Sequence, residues 1–232
     1  MRPVDKDNPP IDSQGNEITF NEYQHARRYL FDAIGRYCSY CERKITTHLA
    51  VEHIESISKN GHLELEWSNF LLGCVNCNST KNAKNIVLSD YFWADRDNTY
   101  FVFHYDNSGF VKVSQQITNS LEIQKANKTI KLVGLNKKPP KKNTVKWKEA
   151  SDSRFEDRIQ AVKSAENQAK AYAIATSETR AFMLPLIKTT VLGGGFWSIW
   201  MRAFENFPEV QKELINSFKG TRKEFFQNIL NS

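Results

Sequence analysis

Trp67-Ser68-Asn69-Phe70-Leu71-Leu72-Gly73-Cys74-Val75-Asn76-Cys77-Asn78-Ser79-Thr80-Lys81 is the stretch that decides the fold. Its apolar run Phe70-Leu71-Leu72 predicts a short buried strand. A Cys-x-x-Cys turn follows at once, and Asn78 can cap a helix running through the Lys81–Lys84 region. Strand, cysteine turn and helix therefore succeed one another with almost no loop between them.

Upstream lies a second pair, Cys38-Ser39-Tyr40-Cys41. The chain has four cysteines in all, and 32 residues separate the two pairs. Two Cys-x-x-Cys turns at such a distance predict a tetrahedral zinc site with four thiolate ligands. The alternatives are two redox motifs or two disulfides. A βαβ pattern, expected around a thioredoxin-like motif, surrounds neither pair. Between the pairs, Leu49-Ala50-Val51 predicts a strand leading into Glu52-His53, and Asn60-Gly61 a loop before the second strand. Glu52, His53, Asn69 and Asn78 thus fall inside one span pinned at both ends. A lone histidine or asparagine carries no such meaning, and His25, His48, His62 and His104 read as surface or packing residues.

Further out, residues 1–18 read as an irregular arm. Asn21 is placed to cap a helix ending at Gly35, with Tyr23, Ala26, Leu30, Ala33 and Ile34 on one face. Tyr100–Tyr105 and Phe110–Val113 predict a hairpin. The stretch Lys125–Lys148 reads as mostly loop, and a helix is expected from about Ser153 to Ala175. More helix follows, broken at Gly193-Gly194-Gly195. Phe196, Trp200 and Phe204 read as helix core, with a partner-docking face as the alternative. The divisions expected are a core at 1–95, a hairpin and lysine-rich connection at 96–150, and a helical region at 151–232.

Composition adds a charge map. The net charge is +6, yet residues 1–80 hold eight Lys/Arg against eleven Asp/Glu, a net of −3. Lys125–Lys148 holds nine lysines and no acid, so the chain without it is also at −3. That stretch is either a solvated loop or a surface for a polyanion backbone. No apolar run is long enough for a membrane span. Charge and proline at the start, in place of an apolar h-region, imply no secretory signal and a cytoplasmic location.

Glu52-His53-Ile54 and the Trp67–Lys81 stretch, flanked by the cysteine pairs, resemble the ββα-metal motif of HNH nucleases. Met1–Lys6, Tyr37–Arg43 and Asp95–Thr99 are similar to one branch, the PtuB family of Septu and retron-linked antiphage systems. The similarity is strong over about residues 1–110 and thinner beyond. It implies an α+β fold: a ββα-metal core with a zinc knuckle, flanking helices and a mainly helical C-terminal half. It also implies a metal-dependent endonuclease, working beside an ATPase of the PtuA type, related to ABC and SMC proteins. This chain has no G-x-x-x-x-G-K-[ST] phosphate loop of its own.

The same resemblance assigns roles. His53 becomes the general base; Glu52 and Asn78 become oxygen ligands of Mg²⁺ or Mn²⁺. Asn69 becomes a supporting residue that holds the loop and orients His53. Cys38, Cys41, Cys74 and Cys77 hold structural zinc. Many HNH nucleases carry Asp where this chain has Glu52, and Asn82 competes with Asn78 as a ligand. DNA stands ahead of RNA as substrate. Cleavage of RNA, tRNA included, and a non-catalytic zinc-knuckle module that binds nucleic acid or scaffolds a complex are the alternatives.

Overall fold

The computed structural model describes residues 1–148 and 152–232, the side chain of Lys148 excepted. The boundary expected between 150 and 151 lies outside the described residues. The fold is α+β, with two short antiparallel strand pairs set among helices in the described residues.

Helix α1 (Ala26–Ile34) buries Ala26, Leu30 and Ile34, the i, i+4, i+8 stripe of an amphipathic helix. Gly35, at φ 76°, ends it. A 3₁₀ turn at Tyr23–His25 leads in, and its cap is Glu22 with no side-chain bond, so Asn21 is not the cap. Strands β1 (Ala50–His53) and β2 (Phe70–Gly73) pair antiparallel, Glu52 opposite Leu71 and His53 opposite Phe70. Helix α2 (Val75–Lys81) follows β2 directly. It starts one turn earlier than the sequence suggests. Cys74 caps it, the sulfur accepting the Cys77 N–H at 3.5 Å, so Asn78 lies inside the helix.

The hairpin expected from Tyr100 is shorter. Asn98 accepts the Phe101 N–H and winds Thr99–Val102 into helix α3, leaving β3 (Phe103–Tyr105) to pair with β4 (Val111–Val113). The local cap overrides the β propensity of the aromatic run. The lysine stretch is likewise more ordered than expected. Helix α4 (Ser120–Leu132) carries Lys125, Lys128 and Lys131, and α5 (Val145–Lys148) lies at its far end.

Beyond come α6 (Arg154–Ile174), α7 (Ser177–Gly194), α8 (Trp197–Ala203), α9 (Pro208–Ser217) and the short α10 (Gln227–Leu230). Helix α7 runs through Gly193 and Gly194 and stops only at Gly195, φ 82°. A Cβ there would collide with the Glu42 carbonyl and the Lys44 amide, so glycine lets this corner lie against the first knuckle. Phe196, Trp200 and Phe204 are buried in the common core.

The N-terminal arm is not irregular throughout. Met1–Val4 and Lys6 are buried, Val4 bridges Thr221, and the Arg2 guanidinium bonds the Ile34 and Lys219 carbonyls. Buried side chains from all three expected divisions join one hydrophobic cluster. Among the described residues no helix is long and apolar enough to cross a membrane.

Candidate active site and metal knuckle

The four cysteine sulfurs lie within 4.8 Å of one another, all buried. A zinc tetrahedron with Zn–S of about 2.3 Å has edges of about 3.8 Å. Cys41 Sγ and Cys74 Sγ are 3.8 Å apart, which fits that edge and is far beyond a disulfide of about 2.05 Å. All four are free, which removes the disulfide reading. Burial raises the Cys38 and Cys77 thiols, whereas hydrogen bonds from Cys38, Cys41 and Cys77 lower Cys74. Four thiolates in one dry cluster need a dication, and this donor set suits zinc. The Cys38 Sγ also accepts the Cys74 N–H, the backbone contact characteristic of a knuckle.

The knuckle fixes the end of β2 and the start of α2, and a cleft of about 420 Å³ opens beside them. Glu52, His53, Asn78, Lys81 and Asn82 line it, with Tyr23 at one side. Three of the four anticipated residues therefore meet in one cavity. Gly73 is what permits this crowding: a Cβ there would lie 3.0 Å from Glu52 Cβ and 3.6 Å from Asn78 Cβ.

His53 Nε2 lies 3.0 Å from the Glu64 carbonyl oxygen. A carbonyl only accepts, so Nε2 carries the proton and Nδ1 of the neutral ring is the free base. Tyr23 and Phe70 clamp the ring edge-on at 4.7 and 5.3 Å between centroids. Burial depresses its basicity below the ordinary histidine value, against the smaller opposing effect of the Glu64 carbonyl. The ring is thus held as a neutral imidazole in a fixed tautomer.

Glu52 is 3% exposed, and its Oε1 lies 2.8 Å from the Lys81 ammonium, itself 2% exposed. Tyr40 O–H also points to Oε1, at 3.5 Å. Burial pushes the carboxyl up, and Lys81 offsets part of that effect. Oε2 has no protein partner among the described residues, nor has the Asn78 side-chain amide. An oxygen from each is therefore available to a hard cation.

Asn69 lies behind the cleft, 3% exposed. Its Oδ1 accepts the Glu55 N–H at 2.7 Å, and its Nδ2 donates to the Glu55 and Leu63 carbonyls at 3.1 and 3.2 Å. It closes the loop that delivers Glu64 to His53. Asn82 is not one turn along the same helical face, as the sequence suggested. It sits past the last residue of α2 in a positive-φ conformation (φ 49°), exposed at the cleft edge. His25, His48, His62 and His104 are all exposed.

Two side chains were hidden from sequence reasoning. Lys81 belongs to the quoted motif, yet a lysine ending a polar helix reads as solvated. Its ammonium instead bonds Glu52 and the His53 carbonyl (2.7 Å), tying helix to strand. Arg154, far along the chain, reaches Cys77 Sγ at 3.1 Å. No local pattern would have announced it.

Residues 38–84 match the family model described as HNH endonuclease. The match takes in both cysteine pairs and the cleft residues from Glu52 to Asn82, so the chain contains an HNH endonuclease domain. A search of curated proteins finds no match.

Proposed function

We propose that this HNH domain hydrolyses phosphodiester bonds of nucleic acid, with His53 as general base and Glu52 and Asn78 holding one Mg²⁺ or Mn²⁺ ion. The observation that carries the reading is the tautomer of His53: the bond to the Glu64 carbonyl leaves Nδ1 basic at the cleft that Glu52 and Asn78 share. A neutral imidazole can take a proton from water as that water attacks phosphorus. Glu52 and Asn78 would hold the divalent ion, which would supply Lewis-acid stabilisation of the scissile phosphate. Asn69 keeps the Glu64 carbonyl in position and so keeps the His53 ring oriented.

The catalytic third is net negative, so substrate grip comes from the lysine stretch or from a partner. Within that stretch Lys125 faces Asp97 at 3.9 Å and Lys128 pairs with Asp90 at 2.8 Å, so these two are already partly offset. Lys131, Lys137, Lys138, Lys141, Lys142 and Lys146 are exposed and make no ion pair among the described residues. The Lys84 ammonium, just past α2, reaches the Leu132 carbonyl at the end of α4. This basic run suits the phosphate backbone of DNA and of RNA alike.

The likeness to the PtuB family supports a cytoplasmic effector of antiphage defence whose activity depends on an ATPase subunit. The test is cleavage of plasmid and of tRNA by the full chain with Mg²⁺ or Mn²⁺, with and without the neighbouring gene product and ATP. Loss of cleavage in His53→Ala is expected. Full cleavage or toxicity in that variant would overturn the catalytic assignment and leave the zinc-knuckle scaffold reading.

A further inference from the structure

Helix α6 begins 70 residues after the HNH segment ends, yet its first turn is bound to the knuckle on both sides. Arg43, two residues past Cys41, donates to Ser153 Oγ at 3.0 Å and to Asp157 Oδ2 at 2.9 Å. Its other nitrogen donates to Asn76 Oδ1, between Cys74 and Cys77. Arg154 goes deeper. It is 2% exposed, and its Nη1 donates to Cys77 Sγ at 3.1 Å and to the Val133 carbonyl at 2.8 Å. Asp152 grips its Nε and Nη2 in a fork at 2.8 Å each, which sets the direction of Nη1.

An arginine is almost never buried without a charged partner. Asp152 is one partner, and Cys77 is the other. Zinc with four thiolates has a net charge of −2, so a cation aimed at one sulfur offsets part of it in a dry setting. A guanidinium bonds a thiolate far better than a neutral thiol. Metal-bound sulfur and a docked α6 therefore favour each other, and such coupling is reciprocal.

We propose that Arg154 is an outer-sphere positioning residue of the zinc knuckle, so that metal retention and the seating of α6 are one linked equilibrium. This rests on the zinc reading of the four cysteines, not on the nuclease chemistry. Groups bonded to metal ligands change metal affinity by about 10- to 100-fold when removed. The site thus has a fifth contributing residue, supplied from outside the HNH segment.

The experiment follows zinc release from the full-length protein to a coloured chelator, with spectra of the Co²⁺-substituted form. Arg154→Leu is expected to release zinc about tenfold faster or more and to shift the sulfur-to-cobalt charge-transfer band. Arg154→Lys should restore part of both. Asp157→Asn, which loosens the Arg43 anchor without touching sulfur, should change release by less than about twofold. Equal effects of Asp157→Asn and Arg154→Leu, or an unmoved band, would overturn the proposal. Should Arg154→Leu not fold, hydrogen exchange on the wild-type chain decides. Stripping zinc is expected to expose amides in the first turn of α6, and unchanged protection there while the cysteine turns open refutes the coupling. A purified chain that holds no zinc removes the zinc reading itself.

Discussion

The ammonium of Lys81 lies 2.8 Å from Glu52 Oε1, and neither side chain is more than 3% exposed. Removing one member of such a pair strands the other charge in a dry setting, at a cost of about 3–5 kcal/mol. Lys81→Met and Glu52→Gln should each lower unfolding stability in urea, Lys81→Met more because it also leaves the His53 carbonyl without its donor, whereas a glutamine amide can still accept from Lys81. The double variant should regain much of that stability while remaining inactive. A double variant no more stable than Lys81→Met alone argues against a mutually dependent pair.

His53 titrates below its ordinary value because burial disfavours the cation. The proposed general base acts as the neutral ring, so activity should rise with pH with a midpoint below the value of about 6.5 expected of a solvated histidine. A pH–rate profile under single-turnover conditions reads this directly. A midpoint well above 7 would mean that another group limits the rate.

Asn69 makes three hydrogen bonds to the loop between the strands. Asn69→Ala leaves the half-buried Glu55 amide and the Glu55 and Leu63 carbonyls without this partner and should cost about 1–3 kcal/mol. Because that loop holds the Glu64 carbonyl against His53, cleavage should also fall at saturating metal. Unaltered turnover in a variant shown to be folded would detach Asn69 from the orientation of the ring.

One zinc per chain is expected by metal analysis, resistant to mild chelation, while activity is lost and then restored by Mg²⁺ or Mn²⁺. The contrast follows from ligand type: buried sulfur retains zinc, and two oxygens beside a solvent-open cleft exchange a hard ion readily. Activity regained only by zinc would reverse the assignment of the two sites.

Lys137, Lys141, Lys142 and Lys146 are exposed and lack acidic partners among the described residues. Replacing all four by Gln should weaken binding to duplex DNA and flatten its dependence on log salt by about 3–4 units, if each meets one phosphate. The melting temperature should stay within a few degrees. An unaltered salt slope would move the grip to another surface.

The knuckle and the ββα order were legible because the deciding residues are close in sequence and chemically unambiguous. Cysteine pairs declare a metal, and Phe70-Leu71-Leu72 declares a buried strand. Element starts were less so. A thiol is an unusual helix cap, so Asn78 looked the better candidate than Cys74. Asn98, a residue outside the aromatic run, converts Thr99–Val102 from strand to helix. The buried cations stayed invisible for a different reason. Lys81, Arg154 and Arg158 read as solvated until the fold supplies their partners, which for Arg158 are the carbonyls of Gly109 and Leu135.

Residues 3–5 pair with residues 220–222 through the Val4–Thr221 bridge, the Asp5 amide on the Gly220 carbonyl and the Arg222 amide on the Pro3 carbonyl. Those partners leave the ribosome more than two hundred residues apart. Residues 220–222 must therefore be made before this seam can form, whereas Met1, Val4 and Lys6 have earlier partners in Thr99, Ala94 and Trp67. A nascent chain already carrying every residue of the HNH segment is still without its clasp. Long-range closure of this kind is slow relative to local helix formation, so this seam closes later than the helices on either side of it.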